Sequence, residues 1–283
     1  MKLNRLPILA LAVAILAGSG CSSDDYNYGD KGYATLSFAL DTDNQLNAGV
    51  IVRAAGETSI ADALGVSYQN PSAADFTIEL KDSDDEEVYK GALSGWDAKT
   101  PLPLGTYSVT ATYDKDQVGF YPAGAPAFEG STTFSVVEAK EYAVAIPVKL
   151  SNAILKVAYT DMFRNYFKAA TVKAKSQGSS TEVTYDYNVT QGAFVTASNI
   201  TINYILTPSQ AQGANVKDVT GSLTQSLDPR TCYTLTFDVE NVGGVKKFTI
   251  TLNEENLVDV LLGENGEIDL NDDQYKNNGE TNN

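Results

Sequence analysis

Apolar and polar residues alternate with a period of two along most of the chain, which is the pattern of strands buried on one face. Tyr33 to Leu40 opens the series, and Gly49 to Arg53 is a weaker member. Asp75-Phe-Thr-Ile-Glu-Leu80 sets Phe76, Ile78 and Leu80 on one face. Leu104 to Tyr113 does the same with Tyr107, Val109 and Ala111, and Gly105 marks the turn before it. Between these two, Asp82-Ser-Asp-Asp-Glu-Glu87 breaks the alternation ahead of Val88-Tyr89. The run lacks the glycine-centred spacing of a calcium loop and reads as a solvated hairpin tip. Thr133 to Val137 and Glu141 to Val148 alternate around Glu138-Ala-Lys140, and Ala153 to Tyr159 follows almost without a break. Further strands are predicted over residues 171–174, 182–187, 193–197, 201–206, 219–223, 232–239 and 247–252. One segment has the helical period instead: Phe163, Tyr166 and Phe167 fall at i, i+3, i+4 behind a cap at Thr160 or Asp161.

These elements predict an all-β chain of two tandem antiparallel β-sandwiches, immunoglobulin-like or transthyretin-like, over residues 32–150 and 151–270, with one short helix early in the second. The junction near residues 150–152 is too short to let the two halves swing freely. An internal similarity points to duplication. Phe134-Ser-Val with Val144-Ala-Ile-Pro-Val148 recurs as Phe248-Thr-Ile with Val258-Asp-Val-Leu-Leu262, and Thr106 to Thr110 recurs as Cys232 to Thr236. Residues 271–283 are polar throughout and predict a disordered tail.

The first residues depart from this pattern. Lys2 and Arg5 precede an unbroken apolar run from Ile8 to Ala17, then Gly18-Ser19-Gly20 stands directly before Cys21. The run is well short of the roughly 20 residues that span a bilayer, so it predicts a signal peptide over residues 1–20. A cysteine behind small residues predicts acylation of Cys21, with residues 21–31 as the tether to a membrane; Gly18 stands where a lipobox usually has Leu.

Composition narrows the function. Formal net charge is −16, and loss of Lys2 and Arg5 with the signal leaves −18, a surface that repels nucleic acid and anionic headgroups. The chain has no histidine, so neither Ser-His-Asp nor Cys-His chemistry nor a common zinc site can be built. No phosphate-binding glycine loop or dinucleotide fingerprint occurs. The expectation is a protein that is not an enzyme, with neither cofactor nor metal. Cys232 has no partner but Cys21 and sits in an alternating strand, as a small core side chain would. Trp96, Phe120, Tyr121 and Phe128 are the candidate ligand-binding aromatics; they either stack a glycan or plug the open end of a sandwich, and the plug is favoured.

Asp75-Phe-Thr-Ile, Leu104-Gly-Thr-Tyr-Ser-Val-Thr-Ala, Pro126-Ala-Phe-Glu-Gly130, Phe134-Ser-Val, Val148-Lys-Leu-Ser-Asn152 and Phe163 to Phe167 together resemble a Bacteroidetes surface-lipoprotein family known only by a domain of unknown function. Ser22-Ser23-Asp24-Asp25 resembles the acidic export tag of lipoproteins sent to the outer face of the outer membrane in those bacteria. The two-sandwich plan is more loosely similar to the fimbrillins. That likeness implies cleavage between Arg53 and Ala54, departure of the strand in Gly32 to Leu40, and self-assembly, or assembly with other surface proteins, by β-strand addition. The competing expectation is a surface module that binds a glycan or a protein through Trp96 and the loop aromatics.

Overall fold

Most of the longer strands form where alternation gives them an apolar face, and the chain becomes all-β. The computed structural model describes residues 32–47, 58–114, 126–180, 182–209, 217–253 and 255–262. The first half contains β1 (Tyr33–Asp43), β2 (Gln45–Leu46), β3 (Thr58–Ser59), the short helix α1 (Ile60–Leu64), β4 (Thr77–Lys81), β5 (Glu87–Ala92), β6 (Leu102–Pro103), β7 (Gly105–Asp114), β8 (Ala127–Val136) and β9 (Glu141–Leu150). The second contains β10 (Asn152–Tyr159), α2 (Asp161–Tyr166), β11 (Phe167–Ser176), β12 (Val183–Asp186), β13 (Ala193–Thr196), β14 (Asn199–Pro208), β15 (Val219–Ser226), β16 (Cys232–Val242), β17 (Val245–Leu252) and β18 (Glu255–Leu262). The weak strand predicted at Gly49 to Arg53 lies outside the described residues. Among the described residues no helix is long and apolar enough to cross a membrane.

Seven strands of the first half form one sheet in the order β5-β4-β7-β8-β9-β1-β6. Its middle is narrow. β8 pairs with β7 along its whole length, but with β9 only through Phe128↔Leu150 and Glu129↔Lys149. At Gly130 a Cβ would lie 1.8 Å from the Pro147 carbonyl oxygen, so only glycine lets β8 pass so close to β9. The sheet folds over at this corner. Ile78, Leu80, Val109 and Ala111 from one limb and Leu36, Ile146 and Val148 from the other belong to one buried cluster. In the second half, a five-stranded sheet β13-β10-β16-β17-β18 and a four-stranded sheet β12-β11-β14-β15 enclose a second core.

The helix predicted from Phe163, Tyr166 and Phe167 forms as α2. Thr160 caps it by accepting from the Phe163 N–H at 3.2 Å, and all three aromatics are buried. Phe163 stacks on Phe167 at 4.6 Å and on Tyr159 at 5.1 Å, and this cluster continues to Phe237 and Phe248. The run Asp82 to Glu86 is the tip of the β4–β5 hairpin, as expected, with Asp82 Oδ1 accepting from the N–H of Asp84 and of Glu86.

The sheets depart from the antiparallel arrangement that the pattern predicts. β1 runs parallel to β9, and β10 parallel to β16. Alternation fixes which face a residue takes but says nothing of strand direction. The repeat does fall on matching strands: β7, β8 and β9 form one meander, β16, β17 and β18 the other. The first strand of each half docks differently, however. β1 lies along the last strand of its meander, whereas β10 lies along the first.

Two outcomes follow. Gly130→Ala drives a methyl group into the Pro147 carbonyl and should destabilise the fold by about 3 kcal/mol, read as a lowered urea midpoint; an unchanged midpoint would refute the corner. Burial pushes the phenols of Tyr185, Tyr159 and Tyr68 well above the usual tyrosine range. A raised folded-state pKa means that the unfolded chain loses these protons first, so the stabilisation is complete below pH 10.0 and is lost as pH rises beyond it. With no histidine to titrate, urea midpoints should hold steady from about pH 6 to about pH 9 and then fall.

Candidate functional site

The site built by the sequence pattern is β1 with the groups that hold it. Thr35↔Glu141 through Asp43↔Lys149 give it nine successive parallel partners on β9. On its other edge, β6 pairs only with Tyr33 and Ala34. Beyond Ala34 that outer edge has no strand neighbour among the described residues. Backbone groups point alternately to the two edges. The Thr35 N–H donates inward to the Lys140 carbonyl at 3.2 Å, whereas the Leu36 carbonyl faces outward. Phe38, Leu40 and Thr42 share the outward register, leaving a short stretch of open edge above half-buried side chains.

Trp96 closes part of this edge. It follows a 3-10 turn, Leu93–Gly95, and its indole N–H donates to the Leu36 carbonyl at 2.8 Å. The ring packs edge-on against Phe38 at 5.4 Å and Tyr89 at 5.2 Å. Its one donor and much of its ring are engaged in fixing β1, an arrangement closer to the plug expectation than to a glycan platform. Phe128 is 1% exposed and lies against Phe76 and Tyr113. Its candidacy as a ligand contact is therefore corrected. The strand starts at Ala127 and not beyond Gly130, which turns Phe128 into the core. Phe120, Tyr121, Cys21, Ser22, Ser23, Asp24, Asp25, Arg53 and Ala54 lie outside the described residues.

At its far end β1 is clasped by the second half. Arg230, held in the left-handed region at φ 57°, donates through its guanidinium to the Asp43 carboxylate at 2.6 Å and to the Gln45 carbonyl at 2.7 and 3.1 Å. Its backbone joins in: the Asn47 N–H donates to the Arg230 carbonyl at 2.6 Å, and the Arg230 N–H donates to the Asn152 carbonyl at 2.8 Å. The Asn152 side chain accepts from the Ala127 N–H, and the Gly192 N–H donates to the Leu64 carbonyl at 2.9 Å. Ile154 and Phe194 of the second half are buried in the first half's core. Cys232 lies beside them, partly buried, and burial pushes its thiol up; it packs as a small apolar side chain, as expected.

Sequence reasoning found β1 and missed the clasp, because Asp43 and Arg230 stand 187 residues apart and neither sits in a motif. Among the described residues no group of three or more His, Cys, Asp or Glu side chains is placed to hold a metal ion.

Arg230→Ala removes the guanidinium from Asp43 and Gln45 and should cost about 2 kcal/mol by urea denaturation. Asp43→Asn, which spares the bonds to Gln45, should cost about 1 kcal/mol or less. Equal losses would mean that the carboxylate alone holds the clasp.

Several solved structures similar to the chain come from Bacteroides. A candidate adhesin from Bacteroides ovatus is 10% identical, with 78% of this chain and 95% of that one covered and a TM-score of 0.39. A candidate cell adhesion protein from Bacteroides eggerthii is 8% identical, with 80% and 97% covered and a TM-score of 0.40. A candidate polysaccharide-binding protein from Bacteroides thetaiotaomicron is 11% identical, with 76% and 95% covered and a TM-score of 0.37. No curated protein matches. One family model, described as Domain of unknown function (DUF4493), matches residues 30–261, nearly all of the chain after its N-terminal segment, and the chain belongs to that family.

Proposed function

We propose that this chain is a non-enzymatic, lipid-anchored protein of the outer bacterial surface, with a structural or adhesive role carried out through strand edges. In this reading residues 1–20 are removed as a signal, acylated Cys21 attaches the tether to the outer membrane, Ser22 to Asp25 direct it outward, and two sandwiches meet at Ser151. The observation that carries the reading is the placement of β1. It is the first strand described, it closes the core through Ala34 and Leu36, and among the described residues no strand pairs with its outer edge from Phe38 onward.

A fimbrillin-like cycle fits that placement. Cutting between Arg53 and Ala54 would free β1 and β2 from the rest of the chain. Their departure would bare the β9 edge along nine positions, expose Ile146 and Val148, and leave the Trp96 N–H and the Arg230 guanidinium without acceptors. A strand from another molecule that replaced those contacts would be strongly favoured over the empty groove.

Mass spectrometry of proteins washed from the cell surface tests both levels. A chain beginning at acylated Cys21 is the expected anchored form, and a population beginning at Ala54 would identify the strand-exchanging subunit. An unacylated chain that begins anywhere else overturns the proposal.

A further inference from the structure

We infer that β1 is a shear clamp: the chain carries tension from the segment ahead of Gly32 into its second half through the parallel β1–β9 ladder. This rests on the reading that the chain is held at its N-terminus. It goes beyond that reading by assigning a mechanical role to one pair of strands.

The direction of the strands decides how they respond to a pull. Force applied ahead of Gly32 enters β1 at Tyr33, beside the Glu141 end of β9. The opposing force leaves β9 at Leu150 and continues into β10 after the single residue Ser151. Because the two strands are parallel, these points lie at opposite ends of the ladder. The pull therefore runs along the strands, and the nine pairs from Thr35↔Glu141 to Asp43↔Lys149 share it. In an antiparallel arrangement the two points would be neighbours, and the pairs would open one after another.

Other contacts oppose the same sliding motion. The Trp96 indole grips the Leu36 carbonyl and packs on Phe38. The Ser37 hydroxyl donates to the Tyr142 carbonyl at 3.3 Å. At the trailing end Arg230 holds Asp43 and Gln45, so that drawing β1 outward must pull both from the guanidinium. Beyond the junction β10 also lies in a parallel pair, along β16 from Ile154↔Cys232 to Tyr159↔Phe237, although β16 is the first strand of its meander and not the last. The Arg230 N–H is bonded to the Asn152 carbonyl at the point where the tension crosses.

Single-molecule pulling on the mature chain tests this. One handle is attached at the N-terminus and the other at a clickable side chain replacing either Lys149 or Glu141, both exposed on β9 and paired with the last and first residues of the ladder. At one loading rate the rupture force should be about twofold higher or more from Lys149 than from Glu141, since only the first geometry loads the pairs together. Arg230→Gln should lower the force from Lys149 and leave the force from Glu141 unchanged, because peeling breaks the clasp last. Equal forces in the two geometries, or an equal loss in both on Arg230→Gln, overturn the clamp. The handle stands in for the lipid, so such a result leaves the anchored reading untouched. An unacylated N-terminus on cells would remove the anchored reading without changing the ratio of forces.

Discussion

The parallel ladder between β1 and β9 is the interaction on which the rest depends. Without β1, the first half has a sheet whose β9 edge is bare and whose core lacks Ala34 and Leu36. The junction between the halves is tied to the same segment, since Asp43, Gln45 and Asn47 reach Arg230 only because β1 ends where it does. The chemistry is ordinary: backbone hydrogen bonds of modest net worth, one indole donor and one guanidinium. Their effect comes from being strung along one strand that contributes to a sheet, a core and a junction at once.

The sequence made the strands legible wherever one face is buried and the other wet. Phe76, Ile78 and Leu80, or Tyr107, Val109 and Ala111, announce their face by spacing alone, and α2 is equally plain from three aromatics and a threonine cap. Three features were not legible, for different reasons. Strand direction leaves no mark on alternation. The start of β8 is hidden because Ala127 and Phe128 follow a run of Pro and Gly that reads as loop. α1 spans only five residues, too few to show a period, though Ser59 and Gly65 cap its two ends.

Of the candidate site, the sequence located the strand and favoured a plugging role for the aromatics near it. Trp96 and Phe128 stand out as aromatics among loop residues, yet one is spent on the Leu36 carbonyl and the other on the core. Arg230 carries no signal, as its role depends on a left-handed backbone and on partners far away in the chain. A surface arginine and a clasp look alike until the fold brings Asp43 within reach.

The span between partners also governs how the molecule is made. Ser37 meets Tyr142 across 105 residues and Asp43 meets Arg230 across 187, so nearly all of the first half, and most of the second, must emerge before β1 is fully seated. Chains rich in such distant pairings fold slowly, and their apolar strands stay exposed meanwhile. A chain delivered N-terminus first would therefore present its key strand early and complete it late. During that interval the empty place beside β9 is open to any strand that arrives, whether its own or another molecule's.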